Sequence, residues 1–520
     1  MIFQSTENQK IIIFVDMATK ALFNTVVNWF IRQRMDQIQN FMNHPFETQK
    51  GILFSQLFHA EETEYGKKNG FSSIATYEDF RNKVPIVNYE DFEPYIERTR
   101  KGEKDIIWPG LIKNFAKSSG TTNAKSKYIP ITQESLEFCH LKAGKDMLAI
   151  YANNHPENQL FSNKNLRLGG SSELYENFNT KFGDLSAILI DNLPFWVEIT
   201  TTPSKKVSLM SEWESKLKAI VSEVKNEDVG SLIGVPSWMM VLLQKVLKET
   251  GKSSISELWP NLEVFFHGGI SFKPYREQYR ELVGKEISYY EIYNASEGFF
   301  GIQDQPGSDE MLLMLDYGIF YEFIPMDKFD RNNLQAIPLE EVEIGKNYAI
   351  VITTNGGLWR YLIGDTVKFT SLKPFRIKIS GRTKHYINVF GEELMIDNVE
   401  TALEKACMNT NSSVSEYTGA PVFMKNGESG AHEWIIEFSK EPENFEDFTS
   451  LFDEHLKAIN SDYEAKRYNN MTLRKPIIHI AKPNLFYSWM EQRGKLGGQN
   501  KVPRLSNSRE YIDPLLVMNQ

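Results

Sequence analysis

From about residue 105 onward the chain alternates between two hydrophobic periods, and this alternation constrains its fold more than any other feature. Strand-like apolar runs at 186–190, 262–266, 286–293 and 348–353 are separated by amphipathic helical stretches such as 211–225 and 236–247. That pattern predicts an α/β fold with a substantial sheet. Two later runs, 312–317 and 320–324, are closely spaced and predict a β-rich subregion. Residues 18–75 precede the alternation and read as helical, with Leu22, Val26, Val27, Phe30 and Ile31 on one face.

At 520 residues the chain is too long for one ordinary core. A break near 381–390 is expected, giving a large N-terminal domain, 1–384, with mixed sheets. A smaller, mobile α+β C-terminal domain, 385–520, would follow. Its elements are a helix at 396–407, a strand at 433–438 and a helix at 445–459. A net charge of −10 argues against nucleic acid as a partner, because phosphate backbones need a basic face. Cys139 and Cys407 have no second Cys or His at metal-ligand spacing, so a reduced, cytoplasmic chain is expected. The apolar run 11–15 is interrupted by Asp16 and Lys20, far short of a membrane span. The start at Met1 and a start at Met17 both remain open. A monomer is expected.

Six segments carry chemistry. Ser118-Ser119-Gly120-Thr121-Thr122, with Lys125 and Lys127 after it, clusters hydroxyls, uncovered backbone N–H groups and cations suited to a polyphosphate. Phe266-His267-Gly268-Gly269-Ile270 puts two glycines at a strand end, where a flat base can lie against the backbone. Tyr293-Asn294-Ala295-Ser296-Glu297-Gly298 offers an aromatic ring and a carboxylate able to hold Mg²⁺ beside a triphosphate. Trp359-Arg360-Tyr361-Leu362-Ile363-Gly364-Asp365 places an acceptor for ribose hydroxyls after a glycine turn. Gly381-Arg382-Thr383-Lys384 comes next, followed by Ile387, Gly391 and Glu400. Last comes Arg493-Gly494 through Gln499, Lys501, Val502, Pro503 and Arg504, a lysine in a glycine-flanked loop. Taken singly, each has an ordinary reading as a polar loop, a tight turn, a solvated carboxylate or a tail cation.

Together, and in this order, they resemble the adenylate-forming superfamily of acyl-CoA synthetases, non-ribosomal adenylation domains and firefly luciferase. More closely, the chain resembles a bacterial member of the auxin-responsive Gretchen Hagen family of acyl-acid amido synthetases. SSGTT, YNASEG, WRYLIGD and the closing RG-x4-Q-x-KVPR match that family's forms over about residues 20–515. The resemblance implies an adenylate-forming fold and roles residue by residue. Ser118, Ser119, Gly120, Thr121, Thr122 and Lys127 would hold ATP phosphates. Gly268 and Gly269 would flank adenine, Tyr293 would stack on it, and Ser296 lies in the same motif. Glu297 would bind Mg²⁺, Asp365 the ribose, and Arg382 ribose or phosphate. Lys384 stands at the hinge, and Lys501 matches the lysine that assists adenylation. ATP and Mg²⁺ are the implied cofactors. The implied substrates are a small carboxylic acid and an amino acid, with CoA as the alternative acceptor. Departures are Asn123-Ala124 where plant members carry glycines, and Leu362 where they often carry a second arginine. The hinge is nearer to acyl-CoA synthetases.

Overall fold

In the computed structural model, the described residues are 26, 29, 32–118, 127–169, 174–177, 179–210, 212–269, 272, 275–330, 333–382, 386–392, 394–425, 428–493 and 502–520. Helices dominate the first hundred. Helix α1 (Pro45–Ala60) buries Leu53 and Leu57. Its buried Gln49 also stitches it to the sheet, donating to the Leu315 and Ile319 carbonyls and accepting from the Tyr321 N–H. Capping boxes start α2 (Tyr77–Lys83) and α3 (Tyr89–Arg100). In each, Thr76 or Asn88 accepts from the third helical N–H, and Asp79 or Asp91 reaches back.

Strands β1 (Asn114–Ser118) and β2 (Lys127–Ile131) form an antiparallel pair, Ser118 opposite Lys127, within a four-stranded sheet. The main sheet has twelve described strands. Its parallel half runs Thr201–Thr202, Lys164–Arg167, Val229–Gly234, β3 (Val264–Gly268) and β4 (Ser288–Ala295). An antiparallel half continues from β4 through β5 (Gly298–Ile302) and Met311–Leu313. Beyond these lie β7 (Phe375–Arg382), β6 (Tyr361–Leu372), Asn347–Thr354, Ile319–Pro325 and Ile337–Pro338. The expected α/β class and β-rich subregion are thus present.

Two local expectations are corrected. Residues 186–190 are not a strand but the middle of helix Leu185–Asp191. Asp184 accepts from the Ser186 N–H as its cap, while Leu185, Ala187, Ile188 and Ile190 are buried. A short buried apolar run has no period that separates the two states, and the cap settles it. The expected strand 312–317 ends at Leu313. Asp316 is instead drawn to Arg34 and Lys142, at 2.6 and 2.9 Å.

After Arg382 the chain builds a smaller α+β unit. Strands β8 (Ser413–Val422), β9 (Ala431–Lys440) and β10 (Ile477–Ile480) carry helices Ile396–Thr410 and Phe445–Ile459. One apolar core runs from Leu232, Met239 and Phe265 of the large unit into Ile387, Phe390 and Trp434 of the small one. Tyr275 Oη donates to the Val389 carbonyl at 3.1 Å, and Gln278 Nε2 to that of Met424 at 2.7 Å. The Lys466 ammonium lies 3.8 Å over the Trp238 ring.

Candidate active site

Four of the six motifs meet where the parallel half of the main sheet turns antiparallel. Strand β3 ends in Gly268, opposite Ile292 of β4. A Cβ on Gly268 would stand 2.4 Å from the Ile292 carbonyl oxygen, so glycine is required there for two strands to close. Gly269 follows in the left-handed region at φ +82°. One residue beyond Ile292, Tyr293 is buried and tilts against Phe300, with ring centroids 4.9 Å apart. Its hydroxyl donates to Asp365 Oδ2 at 2.8 Å, across 72 residues of sequence.

Asp365 does not follow a turn, as its Gly-Asp context suggested. It lies inside β6, paired with Arg382 of β7. The base, ribose and pre-hinge segments are therefore joined through Gly268, Tyr293, Asp365 and the Arg382 backbone.

A second line leads to the phosphate segment. Ala295 pairs with Gly298, leaving Ser296 and Glu297, both half-buried, as a two-residue connection between β4 and β5. Burial, then the Glu297 carboxylate, then Tyr89 hold the Tyr361 phenol far above its ordinary range. Tyr89 Oη accepts from the Tyr128 N–H at 2.9 Å, and the Lys127 ammonium lies 5.2 Å from the Tyr89 ring centre. Lys127 stands opposite Ser118, whose backbone closes β1. Ser119, Gly120, Thr121, Thr122, Lys384 and Lys501 lie outside the described residues, as do the side chains of Ser118 and Arg382.

Tyr89 and Tyr361 were not singled out in the sequence. Tyr361 lies within the quoted WRYLIGD, so its neighbours were signal enough. Tyr89 had no local signal. Arg360 in the same motif is structural. It is buried at φ +42°, forks onto Glu322 at 2.8 and 2.9 Å and donates to the Arg81 and Val84 carbonyls. Trp359 Nε1 donates to the Ile107 carbonyl at 3.0 Å. Together they clamp the segment that presents Tyr361 and Asp365 to the helical N-terminal layer.

Among the described residues no three His, Cys, Asp or Glu side chains gather as a metal cage. A half-buried carboxylate at Glu297 fits a Mg²⁺ ion that arrives with its own phosphate oxygens.

Residues 34–287 match the GH3 family N-terminal domain, 312–382 the GH3 family central domain and 397–510 the GH3 family C-terminal domain. The chain belongs to the GH3 family. Indole-3-acetic acid-amido synthetase GH3.3 of Arabidopsis thaliana is 22% identical to it, over 88% of each chain. The acyl acid amido synthetase AtGH3.15, solved in complex with 2,4-DB, superposes with a TM-score of 0.60 at 18% identity. That match covers 93% of this chain and 95% of the other. A 2-hydroxyisobutyryl-CoA ligase, solved with 2-HIB-AMP and CoA in its thioesterification state, superposes at 0.54 and 16% identity, covering 91% and 92%. These likenesses fix an adenylate-forming architecture for this GH3 chain, with a large N-terminal and a smaller C-terminal unit. The family-level resemblance read from the motifs is borne out.

Proposed function

We propose that this GH3-family chain is an ATP-dependent acyl-acid amido synthetase. In the first step, a carboxylate oxygen attacks the α-phosphorus of ATP. A new P–O bond forms, the bond to the β-phosphate breaks, and pyrophosphate leaves. In the second, the nitrogen of an amino acid attacks the acyl carbon, loses a proton and displaces AMP. The observation that carries this reading is the 2.8 Å bond from Tyr293 to Asp365, with the Gly268 strand end beside β4 and the Glu297 turn at the end of β4.

Gly268 and Gly269 form the floor for adenine, and Tyr293 forms its wall. Asp365, oriented by Tyr293, accepts from the ribose. Ser118 to Thr122 and Lys127 hold the phosphates, and Ser296 lies beside them. Glu297 would hold Mg²⁺, which would supply charge neutralisation on the phosphate oxygens. Lys501 and Arg382 offset the charge that builds during the first step. Units 1–384 and 385–520 reorient about the segment through Lys384 between steps, keeping water from the mixed anhydride. The chain acts as a bacterial, cytoplasmic monomer. No helix of the described residues is long and apolar enough to cross a membrane.

A thiol acceptor is the second reading, favoured by the Gly381-Arg382-Thr383-Lys384 form. Acceptor-dependent AMP release separates the two. Release driven by amino acids and not by CoA supports the amido synthetase, and the reverse outcome replaces it with an acyl-CoA ligase.

A further inference from the structure

Two strands from Gly268, on the same carboxyl edge of the sheet, the strand Lys164–Arg167 ends in a charged residue no step above uses. Arg167 pairs with Ile233, and the following strand end, Gly234, pairs with His267. Gly234 approaches the Leu168 carbonyl so closely that a Cβ would stand 3.0 Å from it. Two strand spacings put the Arg167 backbone about 10 Å from that of the adenine floor, with the edge strand Thr201–Thr202 on its other side.

Arg167 lines a cavity of about 250 Å³ with Glu198, Lys205, Ile190, Leu193 and Ile199. Its Nε is buried and has no hydrogen-bond partner among the described residues. Burial pushes the guanidinium down to about 10, against the attraction of Glu198. A half-buried guanidinium whose Nε lacks a partner is suited to an anion, and a carboxylate fits its fork.

The other charges specify that anion further. Lys205 is held by Asp191, through the carboxylate at 3.2 Å and the backbone carbonyl at 2.9 Å, and stands 3.8 Å from Glu198. Asp191 is shared by Lys205 and by Lys181 at 3.1 Å, so Lys205 is held chiefly there, and Glu198 keeps only its looser contact to Lys205 while lining the cavity with Arg167. Beside them are Ile190, Leu193 and the exposed Ile199, with Thr201 and Ser204 at the rim. A carboxylate, an ammonium and a short apolar side chain are the parts of an aliphatic α-amino acid.

We infer that this cavity is the acceptor site. Arg167 takes the α-carboxylate of an aliphatic amino acid, Glu198 takes its ammonium, and Ile190, Leu193 and Ile199 take the side chain. This inference rests on the amido synthetase function. It gives that function a substrate class and two positioning residues outside the ATP site.

Titration calorimetry of the full chain with L-leucine, its methyl ester and N-acetyl-leucine, with AMP present, tests it. Leucine should bind at least tenfold more tightly than either derivative, since one lacks the carboxylate and the other the ammonium. Arg167→Lys should weaken leucine binding at least tenfold, with acid-dependent ATP–pyrophosphate exchange within twofold of wild type. Glu198→Gln should narrow the preference for leucine over N-acetyl-leucine. Should Arg167→Lys fail to fold by circular dichroism, Glu198→Gln and the cavity-filling Leu193→Trp decide instead. Leucine binding unchanged in these variants, with exchange intact, overturns the site and leaves the function standing. Absence of exchange in the wild type overturns the function itself.

Discussion

One hydrogen bond, from Tyr293 to Asp365, joins the base segment to the ribose segment. Tyr293→Phe removes one donor from the buried Asp365 carboxylate, which should cost roughly 1–3 kcal/mol of stability. Because Asp365 then loses its orientation, the KM for ATP should also rise several-fold. Asp365→Ala should raise it further, and the wild type should use 2′-deoxy-ATP poorly, since an acceptor built for a hydroxyl is left unpaired. Equal use of ATP and 2′-deoxy-ATP by the wild type would count against the ribose role. His267 makes a pH prediction. It is buried and stacked on Phe272 at 4.1 Å, and burial pushes its imidazole down from 6.5 to about 3. Between those values the unfolded chain binds the proton and the folded one does not. Its contribution is therefore intact above pH 6.5 and is lost progressively as pH falls towards 3. His267→Phe keeps a ring on Phe272 and removes the titration. Its denaturant midpoint should fall less than that of wild type between pH 7 and pH 4.5; a parallel fall would remove His267 from the acid response.

Elements explain why some of this was readable and some was not. Strands β3 and β4 came through because apolar runs flanked by glycine and polar turns have a period and an end, whereas β6 was hidden behind a Gly-Asp pair that reads as a turn. Helix Leu185–Asp191 did not, since its identity lies in one cap, Asp184, and in what covers Ile188. The motif residues were legible as chemical types at strand ends. Their joining was not, because the Tyr293–Asp365 and Arg360–Glu322 pairs are made by sheet register, across 72 and 38 residues. Arg167 had a faint signal, an arginine at a strand end just before Gly169-Gly170, echoing His267 before Gly268-Gly269. Two predictions belong here. Gly268→Ala should be far worse than Gly269→Ala for both melting temperature and ATP use. The first forces a Cβ to 2.4 Å from backbone, whereas the second meets only Val235 at 3.6 Å and bears left-handed strain of about 1 kcal/mol. Equal losses would contradict the close-approach explanation. Separately, Glu322→Gln should destabilise by about 3–5 kcal/mol in denaturant titration, because it leaves Arg360 buried without its anion. A loss below 1 kcal/mol would show that the clamp is dispensable.

In the proposed two-step ligation, the small unit serves the steps in turn. Lys501→Ala should slow acyl-adenylate formation by orders of magnitude and leave conjugation of chemically made acyl-adenylate with its amine largely intact. Equal failure in both half-reactions by a folded variant would remove the separate first-step role. Beneath that claim stands adenylation itself, at a site where Glu297 holds the metal of Mg·ATP. The measurement that reaches it most directly is exchange of labelled pyrophosphate into ATP across a panel of carboxylic acids, run on wild type and Glu297→Gln at saturating Mg²⁺. The expected result is acid-dependent exchange by wild type, lost by at least a hundredfold in a variant that folds normally. Wild type that exchanges with no acid, or Glu297→Gln within about tenfold of wild type, would contradict it.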